Sequence, residues 1–346
     1  MAILLERRVA AVFLLLFTVV KSCHPGCRCE ERSFGLFNSF SLTDVDCSGL
    51  GPNIIPVSIP LETSSLDLSS NGICSLDGAA LSGPGYTTLS SLNLSNNFIS
   101  AINGSVFSKL HYLETLDLSW NSIQKIVEGF PGLLLSELDL SHNRIHEINL
   151  NVFRVQDHGR PLTVDLSYNL LISFIRRDLL QPLNIHSLNL AGNRLTAVPT
   201  MQEISLRFLI LDENPISVIN EKSFAGLKYL IHLSLSSMPE LHTLQPQSLQ
   251  DLRNLQVLDL SNNKKLKMLS AEVFRGLTSL QELNLTKSRV TSLPANILQL
   301  LPSINSIALS GGVNCWRVRK QEQFHRHVGW SKAETALTCD VTGVIF

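Results

Sequence analysis

Leu113-Glu114-Thr115-Leu116-Asp117-Leu118-Ser119-Trp120-Asn121 is answered 22 residues later by Leu135-Ser136-Glu137-Leu138-Asp139-Leu140-Ser141-His142-Asn143. Both read L-x-x-L-x-L-x-x-N, and the same spacing returns as Leu89-Leu92-Leu94-Asn97, Leu206-Leu209-Leu211-Asn214 and Leu255-Leu258-Leu260-Asn263. Looser copies end at Asn71, Asn169 and Asn193, and three others place Met238, Ser288 and Gly312 where the asparagine belongs. The ninth positions run from 71 to 312 in ten steps of 21 to 26 residues.

Eleven copies with a period of about 24 are the signature of a leucine-rich repeat. Alternation explains the fold it predicts. Leucines at positions 4 and 6 of each copy point to one side of a short strand, so positions 3, 5 and 7 point to the other. One coil cannot bury its leucines alone, and stacking coil on coil joins the strands into a parallel sheet. The expected fold class is therefore an α/β leucine-rich repeat solenoid, a curved horseshoe with the sheet on its concave face. Position 9 should turn inward, where an amide satisfies backbone groups of adjacent coils that burial would leave unpaired. Met238 lacks that amide, and a looser turn is expected there. Phe107, Phe153, Phe224 and Phe274 recur ten to eleven residues after the asparagine place and are expected in the core.

Around this array the chain divides into 1–22 as a signal peptide, 23–61 as a cysteine-rich cap, 62–312 as repeats and 313–346 as a second cap. The leader reading rests on Arg7 and Arg8, the apolar run Val9 to Val20, and the short segment Lys21-Ser22 before Cys23. That run is shorter than the ~20 residues of a membrane span, so the chain is expected to be secreted, without membrane insertion. Without residues 1–22 it carries 25 Lys and Arg against 28 Asp and Glu, a mildly acidic balance with no basic field for nucleic acid.

All seven cysteines lie beyond the leader. Cys23, Cys27, Cys29 and Cys47 crowd the first cap, Cys315 and Cys339 sit 24 apart in the second, and Cys74 stands alone. In an oxidising compartment such clusters read as disulfides, with three pairings open to the first four. They close ends that would otherwise expose leucines, each bridge contributing ~2–4 kcal/mol. Cys74 is read as a buried spectator thiol, the alternative being an exposed one able to form an intermolecular bridge. Zinc is disfavoured, since His24 is the only histidine near the cluster.

Cys23-x3-Cys27-x-Cys29-x17-Cys47, the two-cysteine second cap and the 24-residue period together resemble the small leucine-rich proteoglycans of extracellular matrix. The stretches Phe34-Gly35-Leu36-Phe37, Ser39-Phe40-Ser41-Leu42, Val45-Asp46-Cys47-Ser48-Gly49-Leu50-Gly51-Pro52 and Leu81-Ser82-Gly83-Pro84-Gly85-Tyr86-Thr87-Thr88-Leu89 narrow the likeness to a secreted branch of that family. The resemblance implies pairings Cys23 with Cys29, Cys27 with Cys47, and Cys315 with Cys339. It also implies a non-enzymatic modulator of developmental signalling, with bone morphogenetic proteins, chordin, transforming growth factor beta and Frizzled-type Wnt receptors as partners. The family usually has about six residues before its fourth cysteine, and the 17 here predict a longer cap loop.

Outward position 5 supplies the candidate protein-binding face. Asp117, Asp139 and Asp165 fall on neighbouring coils, which lie ~4.8 Å apart, and Glu137 adds a fourth carboxylate. A cationic partner would relieve their repulsion. Trp120, His142 and Tyr168 occupy position 8 beside them and offer amphipathic anchors. The competing reading is that Leu-Asp-Leu-Ser merely solvates the sheet. Calcium does not suit a strand ladder, which lacks converging loop oxygens, so no metal or cofactor is expected. Sequons at Asn103, Asn93 and Asn284 are candidate glycosylation sites, with the last two on position 5, where sugars would frame the binding face. Arg317, Arg319, Lys320, Arg326 and Lys332, with His325 and His327, make the second cap basic enough to hold sulfated glycans by charge attraction. Ser48-Gly49 beside Asp44 and Asp46 resembles a glycosaminoglycan attachment site but abuts Cys47.

No HExxH, phosphate loop or nucleophile elbow occurs, and carboxylates on open strands lack a water-excluding cleft. A binder is expected, not an enzyme. Collagen, as the ligand of a matrix organiser, is the alternative partner class.

Overall fold

The computed structural model describes residues 23–35, 40–51, 55, 58–130, 132–153, 160–175, 183–202, 204–311, 313–319 and 335–339. The leader at 1–22 and five of the second cap's basic residues, Lys320, His325, Arg326, His327 and Lys332, lie outside the described residues. The architecture is a parallel-strand leucine-rich repeat solenoid with disulfides near both termini. It forms two compact units, one made of the described residues up to Leu170 with those of Phe174–Ile185, the other of Leu171–Ser173 and the described residues from His186 onward.

In the first unit Phe40–Asp46 and Thr63–Asp67 run parallel, followed in the same sense by Ser91–Asn93, Thr115–Asp117, Glu137–Asp139 and Leu162–Asp165. The register places Leu66, Leu92, Leu116, Leu138 and Val164 side by side, all buried. Arg28–Phe34 closes the sheet antiparallel to Phe40–Asp46. Its run of Arg28, Glu30, Glu31 and Arg32 charges an edge that would otherwise invite further strands. Cys23 pairs with Cys29 and Cys27 with Cys47, as the resemblance implies.

The second unit repeats the plan. Ile185–Asn189, Phe208–Ile210, His232–Ser234, Val257–Asp259, Glu282–Asn284 and Ser306–Ala308 are parallel in turn. Asn314–Arg319 and Thr335–Cys339 then reverse direction, and the bridge between Cys315 and Cys339 locks that antiparallel pair.

Helix is scarce behind the sheet. The one α-helix among the described residues is Ile297–Leu300, and 3-10 turns at Gly104–Phe107, Leu150–Phe153 and Ala271–Phe274 serve other coils. Each of these turns ends on a recurrent phenylalanine, buried with Phe224 as expected. Backbones there approach closely: a Cβ on Gly104 would sit 1.9 Å from the carbonyl oxygen of Gly129 in the next coil, so only glycine fits.

The position-9 asparagines carry the stack. Asn143 accepts from the Ile123 N–H of the preceding coil at 2.9 Å and donates to the carbonyls of Leu118, Leu140 and Ser141 at 2.9–3.1 Å. Asn97, Asn121 and Asn169 do the same for their neighbours. Asn214 repeats it in the second unit. All are buried, so each amide satisfies groups water cannot reach.

Two expectations need correction. The turn at Met238 is not loosened: Ser237 keeps the φ of 54° shared by its counterparts, and the buried Met238 donates its N–H to Asn263 at 2.9 Å. Asp212 of the preceding coil makes a separate contact, accepting from the Ser234 hydroxyl and the Ser236 N–H where other coils use their own position 5. Cys74 is exposed, not buried, because Ile73 takes the inward place beside it and turns its neighbour toward solvent.

Asn143→Ala should lower the unfolding free energy by about 3 kcal/mol, since four buried backbone groups lose a partner together. A urea titration showing a loss below about 0.5 kcal/mol would remove the asparagine bridge as the main coil-to-coil tie.

Candidate protein-binding face

Every residue proposed for the face lies in the first unit, on three successive coils. Asp117, Asp139 and Asp165 are register partners across parallel strands. Among the described residues neither Asp117 nor Asp139 has an ion-pair partner. Glu137 is exposed on the same strand as Asp139, two places before it.

Position 5 has a structural duty that the repeat phrase conceals. One oxygen of each carboxylate accepts the backbone N–H two residues on: Asp117 from Ser119 at 2.8 Å, Asp139 from Ser141 at 2.8 Å and Asp165 from Ser167 at 2.7 Å. This is an Asx turn that ends the strand. Asn93, Asn189 and Asn284 close the same turn with a neutral amide oxygen. The turn therefore explains Asp or Asn, but not three negative charges in a row.

Electrostatics separate the two roles. Asp46, in the first cap, has its carboxyl held below the usual range by the Ser48 hydroxyl and N–H, with Arg28 helping. Asp139 makes the corresponding turn contact, yet its carboxyl is pushed up, first by burial and then by Asp165 and Asp117 on either side. The middle of the ladder thus holds charge that the fold opposes.

Position 8 carries a second constraint. Ser70, Asn96, Trp120, His142 and Tyr168 all have φ between 53° and 60°, the left-handed region where glycine and asparagine are at ease and bulky aromatics are not. In that conformation the N–H of Trp120 donates to Ser141 and that of His142 to Ser167 in the next coil. The three aromatic rings stack: Trp120 on His142 with centroids 3.8 Å apart and planes at 11°, His142 on Tyr168 at 4.6 Å and 12°. Trp120 remains 60% exposed and Tyr168 44%. Spacing along the sequence places these residues on neighbouring coils, but the shared left-handed turn is what aligns the rings.

Sequence reasoning passed over the corresponding face of the second unit. There Phe208 pairs in register with His232 and then Val257, and Ile210 and Ser234 stand at position 5 where the first unit has aspartates. The signal was present in the replacement of position-5 Asp by Ile210 and Ser234. Of the sequons, Asn103 is exposed in a loop and its oxygen accepts from the Ser105 N–H and hydroxyl. Asn93 and Asn284 instead donate across the sheet to Asp67 and Asp259.

The family model described as leucine rich repeat matches residues 87–154, 204–264 and 253–312. Tsukushi of Gallus gallus is 50% identical over 328 residues, 93% of this chain and 89% of its own length. Tsukushi of Mus musculus is 46% identical over 341 residues, 96% of each chain. Tsukushi of Homo sapiens is 48% identical over 324 residues, 92% of this chain and 91% of its own.

Asp139→Asn should keep the turn, as its asparagine counterparts do, while removing the repelled charge. Thermal unfolding near neutral pH is expected to match or exceed that of the parent chain; a marked fall would show that the charge itself supports the fold. The pH sign follows from the raised carboxyl. The folded chain holds this proton more tightly than the unfolded one, so stability from this group falls as pH rises through the window above the ordinary carboxylate range. The difference between parent and variant should widen over that window.

Proposed function

The chain belongs to the Tsukushi family of leucine-rich repeat proteins, and from that premise we propose that it is a secreted, non-enzymatic binder that modulates developmental signalling. The acidic and aromatic face of the first unit is its capture surface. The observation that carries this reading is the stacked set Trp120, His142 and Tyr168 beside Asp117, Asp139 and Asp165. Glycine or asparagine would satisfy the backbone at position 8 with less strain, and asparagine would close the turn at position 5. Large exposed rings, and a row of carboxylates whose middle member is pushed up by its neighbours, therefore serve something outside the fold.

The chemistry fits a basic protein surface. Arginine and lysine stems lie flat on aromatic rings, where the cationic head meets the π face, and the carboxylates beside them complete the pairing. Aromatic anchors next to charge are the groups that dominate protein interfaces. Bone morphogenetic proteins, chordin, transforming growth factor beta and Frizzled-type receptors are the partner classes that the family resemblance implies. Residues 1–22 direct export, and sugar on Asn103, and on Asn93 and Asn284 at position 5, leaves the acidic rungs between 117 and 165 open.

Two variants separate binding from folding. Trp120→Gly removes the anchor at a position where glycine is at ease, so stability should change by less than about 1 kcal/mol. Asp117→Asn with Asp139→Asn and Asp165→Asn keeps the turns. Each should weaken solution binding of a bone morphogenetic protein or chordin by about tenfold or more. Altered collagen fibril assembly with no detectable growth-factor binding would instead make the chain a matrix organiser. For the sugars, peptide mass analysis of the secreted chain is expected to find Asn103 occupied; a bare Asn103 would contradict the assignment.

A further inference from the structure

A second charged surface lies in the second unit, outside the sheet face. The run Asn262-Asn263-Lys264-Lys265-Leu266-Lys267-Met268 turns Leu266 into the core and leaves Lys264, Lys265, Lys267 and Met268 exposed. The neighbouring coils contribute His242 on one side and Arg289 on the other. Lys265, Lys267, His242, Arg289 and Met268 together line an open hollow of about 650 Å³.

Its charge is one-sided. Glu240 is paired with Lys265 at 2.6 Å. Lys267 and Arg289 have no ion-pair partner among the described residues. Coil stacking fixes the order of these groups: the Arg289 N–H donates to the Leu266 carbonyl of the coil before it, so Arg289 stands one rung along from the lysine run. Cations on successive rungs make a track for a ligand with repeated negative charges, and because the groups are exposed the attraction is screened by salt.

We propose that this hollow binds a sulfated polysaccharide. The lining argues for that class over an acidic protein. Protein interfaces are depleted in lysine and rely on aromatic anchors, whereas this hollow is lysine-rich and has no aromatic side chain except His242. Lysine heads on flexible stems follow sulfates at variable spacing, and the Arg289 guanidinium can hold a sulfate through two N–H groups. Met268, 80% exposed, gives an apolar surface for the face of a sugar ring. The binding is independent of the acidic face of the first unit. It also differs in place from the basic run of the second cap that the sequence suggested.

The test is calorimetric titration of the full secreted chain with a heparin-derived oligosaccharide. The parent chain is expected to bind, with affinity falling steeply as salt rises. Lys267→Ala with Arg289→Ala should weaken binding by about tenfold, while Lys109→Ala with Lys287→Ala, outside the lining, should change it by less than about twofold. Lys267→Gln alone, expected to weaken binding in the same direction, serves as the second variant if the double one does not fold. The proposal is overturned if the parent chain does not bind, if the hollow variants bind like the parent, or if a polyglutamate peptide or a desulfated chain binds as well as heparin. Asp139→Asn should leave heparin binding unchanged, so failure of the protein-capture reading and failure of this one are told apart.

Discussion

The structure depends on one buried side-chain amide repeated from coil to coil. An asparagine at position 9 accepts from one coil and donates to the carbonyls of two, as Asn121 does with Ile99, Leu94 and Leu118. Each coil turns its chain inside a leucine core where water cannot reach, and every unpaired N–H or C=O there would cost about 1–3 kcal/mol. Leucine packing draws the coils together without fixing their register. The amide fixes it, because its three to four partners come from defined positions on two coils.

Holding the stack from within releases the opposite side of the strands. Positions 3, 5 and 8 need only satisfy a local turn, and several residue types do so. Asp139 and Asn93 close the same Asx turn, and Trp120 and Asn96 adopt the same left-handed φ. Selection acting on binding can therefore vary these positions at little cost to folding. The row Asp117, Asp139 and Asp165 under three stacked rings is a place where the choice runs against the comfort of the fold, with a middle carboxyl pushed up by burial and by its neighbours.

The leucine spacing made the coils, their inward residues and the buried phenylalanines legible in advance, because periodicity reports burial directly. The family resemblance supplied the disulfide pairings that spacing left open. Less was legible where function of a residue depends on backbone conformation. Nothing in Leu-Asp-Leu-Ser announces that aspartate closes a turn. The left-handed state of Trp120 is hidden when glycine, serine and asparagine fill the same place in other coils. Met238 lacks the amide, and its turn is kept by the next coil's asparagine, since the Met238 N–H donates to Asn263, 25 residues on. Cys74 was misplaced because one step past a buried isoleucine in a turn faces out. The lysine run at 264–267 was overlooked, since its partners His242 and Arg289 come together only through stacking.

The central claim is that asparagine amides, not strand pairing alone, tie coil to coil. Amide hydrogen exchange tests it most directly at Ile99, Ile123 and Ile145, whose N–H groups lie outside the strands and donate to asparagine side chains. The account predicts protection at these three sites equal to that of the neighbouring strand amides at Leu116 and Leu138. Exchange at the rate of an open loop would contradict it.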